Sequence, residues 1–145
     1  MAKIEFDVEN LGFKDLAEMP DDVVYNILEA GGEVAKAAHK RTLLAMDLVQ
    51  SGQLYSSIKV QRKRSKDGSP FIYVLPTGKR TPTIYHPDPK TQNSTVGFFN
   101  EFGAPNKGIP AKEWMRTANE QSINEVLAAE EAVYDKYLKN KGFID

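Results

Sequence analysis

The chain has no cysteine, so neither a disulfide framework nor a thiolate metal site is open to it. Histidine is almost as scarce. His39 falls in the Ala-rich part of a helical pattern and His86 in the Pro-rich "YHPDP", and neither has a second His at helix or hairpin spacing, so no metal is expected and both read as structural or solvated groups. A charge of one sign is also missing: 19 Lys and Arg stand against 20 Asp and Glu, which removes the overall basic bias of a nonspecific nucleic-acid binder. No apolar run approaches the roughly 20 residues of a membrane span. The opening "MAKIEFDVEN" carries charges where a secretory signal needs an apolar core, so synthesis and assembly from the cytoplasm are expected.

Catalytic patterns are missing too. Glu130 with Glu131, and Asp21 with Asp22, are sequence neighbours that diverge on a helix and read as a solvated face. "TGKRT" is not a phosphate loop: Tyr73 stands where its first glycine should be and Arg80 where Ser or Thr should bind magnesium. With no nucleophile, base and orienting group together, neither an enzyme nor a cofactor is expected.

What remains is ordinary globular material. At 41% hydrophobic and 27% charged residues over 145 positions, the composition fits one domain, 1–145, around one core. Ile4, Phe6 and Val8 alternate with acids as in a half-buried strand, and Phe13, Leu16 and Met19 suggest a short helical turn closed by Pro20. From Asp21 a long helix is expected, with Val24, Ile27, Gly31, Val34, Ala38, Ala45 and Leu48 on one face and its end at Ser51-Gly52. Gly31 and Gly32 each weaken a helix interior by about 1 kcal/mol, which close packing or a bend would offset.

A turn near Leu54 leads into a strand from about Ile58, "KDGS" is a hairpin turn, and "PFIYVLPTG" is the returning strand. Residues 79–96 read as a long loop, "GFFNEFG" (97–103) as an aromatic strand, and Trp114, Met115, Ala118, Ser122, Val126, Ala129, Val133 and Tyr137 as the stripe of a final helix. The order implies α+β: a mainly antiparallel sheet packed against a long helix in the N-terminal half and a C-terminal helix.

Charge is uneven. Lys59, Arg62, Lys63, Arg64 and Lys66 crowd the hairpin, with Lys79 and Arg80 after the partner strand. Two readings stay open: contact with nucleic-acid phosphates or an acidic protein, and protection of an edge strand by cations. The last helix carries Glu113, Glu120, Glu125, Glu130, Glu131 and Asp135. A molecule basic on one side and acidic on another suits head-to-tail packing into rings.

Two stretches carry a resemblance. "LVQSGQLYSSI" (48–58) is similar to the Asp-Thr-Gly-x-Leu-x-x-Ser-Ile pattern, here with Ser for Thr, in which the long helix commonly ends in the tail-completion or head-tail joining proteins of long-tailed bacteriophages, a minor tail protein family related in fold to tail terminators. Ser51, Gly52, Leu54, Ser57 and Ile58 match, while Gln50 replaces the acid. "NEFGAPNKGIPAKEWM" (100–115) resembles that family's strand ending in Glu-Phe-Gly, variable loop and Pro-Ala-Arg-Pro-Phe helix start. Glu101, Phe102, Gly103, Pro110, Ala111, Trp114 and Met115 match, and Lys112 and Glu113 replace the Arg-Pro pair.

The resemblance implies a structural virion protein of the tail or neck, made in the bacterial host cytoplasm. It would form a ring, commonly sixfold, at the head-proximal end of the tail tube. Its partners would be further copies of itself, tail tube protein, a head-connector or stopper protein, and the DNA that passes through. Gly52, Leu54, Gly103, Pro110, Trp114 and Met115 are expected to define the fold. Gly103 would allow an unusual backbone conformation, Pro110 would be preorganised at the helix start, and Trp114 and Met115 would anchor that helix in the core. Glu101, Asn106, Lys107, Arg62, Arg64, Lys79 and Arg80 are the candidate interface residues. The alternative function is a nucleic-acid-binding module using hairpin 59–66.

Overall fold

The computed structural model describes residues 19–145. The strand at Ile4, Phe6 and Val8 and the turn at Phe13 and Leu16 lie outside the described residues. The architecture is α+β, with two long helices and a two-stranded antiparallel sheet.

Helix α1 spans Asp21–Ala45 and begins after Pro20, with Asp21 and Asp22 at its positive end. It stops six residues before the Ser51-Gly52 end expected from the sequence; Leu48 and Val49 pack on the core from the following turn. Helix α2, Gln53–Ser57, is one short turn whose start requires Gly52 in the left-handed region, at φ 81°. It feeds β1, Ile58–Arg64, which pairs with β2, Pro70–Pro76, in the register Ile58 to Pro76 and Arg64 to Pro70. The expected turn forms: Gly68 sits at φ 87°, and Asp67 accepts hydrogen bonds from the Ser69 amide (3.0 Å) and the Ser65 hydroxyl.

The aromatic stretch expected as a strand is helical: α3 runs Asn93–Phe102. Asn93, Val96, Gly97 and Glu101 form its buried face, a helical spacing that the β-favouring run of phenylalanines disguises. The irregular segment therefore ends at Gln92, four residues earlier than the loop read from the sequence, and Lys79 bridges to Gln92 at its neck.

Helix α4, Trp114–Asn140, lies antiparallel to α1: His39 near the end of α1 reaches Asn119 near the start of α4, and Ile27 shares a cluster with Tyr134 and Leu138. The buried stripe of α4 follows the expected residues from Trp114 to Val126 and then continues at every fourth position through Glu130, Tyr134 and Leu138, with the expected Val133 and Tyr137 half-buried beside it against the cluster of Ile27, Tyr134 and Leu138. Glu130 is thus no part of a solvated acidic face. It is fully buried against α1, and among the described residues neither carboxylate oxygen has a hydrogen-bond partner. Desolvation pushes its pKa up from 4.5 to about 7.

The two glycines of α1 serve different neighbours. A Cβ on Gly31 would stand 2.5 Å from Glu130 Oε1, and one on Gly32 would stand 2.6 Å from Ile72 Cδ1 of the sheet. Close packing on both sides of one helix, rather than a bend, offsets their low helix propensity.

Candidate functional site

The candidate residues fall into three places. The first is the joint between α3 and α4. Gly103 takes φ 72°, and a Cβ there would come within 2.6 Å of the Ala111 nitrogen and 2.7 Å of the Ile109 oxygen, so glycine is needed for both conformation and space. Residues 104–109 form a small hairpin, closed by Ala104 and Ile109 bonding in both directions, that leaves Asn106 and Lys107 exposed. The returning chain is tied to the end of α3 by Lys112 N–H to Asn100 O (2.7 Å) and Glu113 N–H to Glu101 O (3.2 Å).

Helix α4 starts at Trp114, four residues after Pro110, so the proline lies in the irregular approach rather than at the first helical position. Glu113 makes the corner at φ 49°, which is uncommon outside glycine. Trp114 and Met115 are buried as expected; the indole donates to Gly97 O at 2.9 Å and meets the edge of His39 at 5.6 Å. Glu101 is turned inward. Its Oε2 accepts from the Met115 amide (2.6 Å) and its Oε1 from the Arg116 amide (3.2 Å), so it caps the positive end of α4 and is not displayed on the surface of a single chain. His39 donates from Nε2 to Asn119 Oδ1 (2.8 Å), and burial lowers its pKa, opposed by that hydrogen bond and the Glu101 charge.

The hairpin is the second place. Of its five cations, two are already engaged by α1. Arg62 pairs with Glu29 and stacks 5.0 Å from the Tyr25 ring, while Arg64 pairs with Asp21 at 2.5 Å. Tyr25 itself donates to Lys63 O at 2.6 Å, pinning β1 to the helix. Lys59, Lys63 and Lys66 have no carboxylate partner among the described residues. On the outer sheet face the register sets Lys59 opposite Leu75, Gln61 opposite Tyr73 and Lys63 opposite Phe71. Aromatic side chains therefore do stand among the cations, a proximity that the linear sequence hides.

The third place was missed from sequence. Arg80, read there as an exposed cation beside Lys79, is only 8% exposed. Its Nη1 donates to Asn93 Oδ1 (3.1 Å) and its Nη2 to Ser51 Oγ (3.4 Å), while the enclosed Nε has no partner among the described residues. Among the described residues no carboxylate forms an ion pair with it, and burial lowers its pKa with no acid acting in the other direction. It lines a cleft of about 180 Å³ together with His86, Leu48, Leu54, Phe99 and Ile109. His86 is held below its ordinary pKa by burial and then by the Arg80 charge. The only sequence signal for this site was the proximity of a cation to the "YHPDP" loop.

Large apolar side chains are exposed around these places. Ile84 is 88% and Tyr85 65% exposed at the tip of the irregular segment, and Ile123 and Leu127 stand one turn apart on the outer face of α4. The arrangement offers charged and apolar surfaces. Comparison of the chain with protein-family models, curated proteins and solved structures finds no match.

Proposed function

We propose that the chain is a structural assembly protein of a long-tailed bacteriophage, a tail-completion or head-tail joining component that acts as a ring at the head-proximal end of the tail tube. The observation carrying this reading is the convergence of the two stretches on which the resemblance rests. A Cβ on Gly97 would lie 3.3 Å from Leu54 Cδ1 and 3.5 Å from Trp114 Cζ2. Residues about 60 apart in sequence thus meet at one glycine, so the two stretches form a single joint in the fold. Exposed apolar groups at Ile84, Tyr85, Ile123 and Leu127 supply surface for partners. The function is geometric: binding free energy between copies, and with tube and connector, terminates the tube and presents a docking face.

A phage with a stop codon early in this gene should accumulate filled heads and tails that fail to join, or tails of abnormal length. Normal joined particles would sink the proposal.

A second reading, nucleic-acid binding by the hairpin, is favoured by one observation: Phe71 and Tyr73 share the outer sheet face with Lys59 and Lys63. Reversing Lys59, Lys63 and Lys66 to Glu should abolish salt-sensitive duplex binding under that reading, and should leave particle assembly intact under the first. Arg62 and Arg64 are poorer choices, since their loss also frees Glu29 and Asp21.

A further inference from the structure

Arg80 is only 8% exposed as a residue, and a cation set into a cleft of largely apolar walls gains from an acidic partner. Among the described residues Arg80 has no acidic partner, and its Nη1 and Nη2 meet only the neutral acceptors of Asn93 and Ser51. The cleft it lines is otherwise largely apolar, walled by Leu48, Leu54, Val96, Phe99 and Ile109. At about 180 Å³ it falls below the roughly 300–1,000 Å³ of small-molecule sites and suits one or two side chains of a docked segment. A carboxylate carried next to apolar groups matches this lining in charge and polarity.

The chain itself carries such a segment. Helix α4 closes with Phe143 N–H bonding Leu138 O at 2.9 Å and Gly142 at φ 77°, the backbone pattern of a Schellman cap. That cap fixes the direction of the following residues, yet Phe143 remains 58% and Ile144 38% exposed, with exposed Asp145 after them. The segment cannot reach its own cleft. The cleft lies where α1 ends and α4 begins, and the 27 residues of α4 span about 40 Å at 1.5 Å each. Five further residues cover at most about 17 Å.

We propose that the Arg80 cleft receives the Phe143-Ile144-Asp145 segment of a second copy, with the Asp145 carboxylate on the Arg80 guanidinium and the apolar side chains on the Phe99 and Ile109 wall. The contact joins opposite ends of two molecules, so it is heterologous and repeats from copy to copy, the kind of contact from which rings are built where the rotation closes. It deepens the self-association within the proposed function and rests on that part of it alone.

The test is an NMR titration of the isotope-labelled full chain with an acetylated, amidated peptide of residues 139–145. Saturable shifts are expected at Arg80 Nε, His86, Phe99 and Ile109, weakened at least about tenfold by Asp145→Asn in the peptide. No cleft shifts up to about 5 mM peptide would overturn the proposal. So would equal binding of the Asp145→Asn peptide, or of acetate or inorganic phosphate at the same concentration. In the full chain, Phe143→Ala with Ile144→Ala and Asp145→Asn alters only exposed groups and should abolish concentration-dependent sedimentation. If that variant still forms rings on tail tubes, this contact is refuted while the proposed function stands. If peptide binds as expected but the protein never associates with tubes, the contact stands and the proposed function fails.

Discussion

Replacing Glu130 with Met tests the α1–α4 seam most sharply. The carboxyl is fully buried with both oxygens unpartnered among the described residues, and raising its pKa from 4.5 to about 7 corresponds to about 3.5 kcal/mol, at about 1.4 kcal/mol per pH unit. The folded-state value lies above the unfolded one, so folding favours the acid form. The Glu130 contribution is therefore most favourable below pH 4.5, declines as pH rises to about 7, and is level above that. His39 and His86, both held below their ordinary pKa, act in the opposite direction, adding stability as pH rises toward 6.5. Their effects cancel when wild type and variant are compared at each pH.

Methionine fills a similar volume without a charge to desolvate. Glu130→Met should stabilise the chain by about 2–3 kcal/mol at pH 8 and by less than about 1 kcal/mol at pH 4.5. At this chain length that is about 5–10 °C in Tm at pH 8. Urea melts of both proteins between pH 4.5 and 8 supply the difference curve. A flat curve, or destabilisation by Met at pH 8, would refute the reading of an unpaired buried acid.

Gly31→Ala should destabilise by about 1–3 kcal/mol despite its better helix propensity, because the new Cβ meets Glu130 at 2.5 Å; a thermal melt reads it. Glu101→Ala removes the acceptor of the Met115 and Arg116 amides and should lower stability by about 1–2 kcal/mol, with faster amide exchange confined to the first turn of α4. Trp114→Phe loses the bond to Gly97 O and should reduce stability by about 1–3 kcal/mol in urea melts.

The two long helices and the hairpin were legible because their signals are periodic or chemically specific: the stripe from Trp114 to Val126, and a glycine after Asp67 that takes positive φ. What failed depended on partners distant in sequence. Glu130 sits in an acidic stretch and reads as surface, although its spacing of four from Val126 and from Tyr134 places it on the buried stripe opposite Gly31. The phenylalanines of α3 favour a strand, and its helical face emerges only once Gly97 is seen against Leu54, Pro76 and Trp114. Arg80 looked like one more surface cation because nothing local shows that Asn93 and Ser51 will close over it.

The central claim, assembly at one end of a tail tube, is met most directly by electron microscopy of purified tubes mixed with gold-labelled protein at low and high salt. Label confined to one tube end at both salt concentrations is the predicted result. Tubes free of label, with tight and salt-sensitive binding to duplex DNA in a parallel titration, would contradict it and transfer the function to the hairpin.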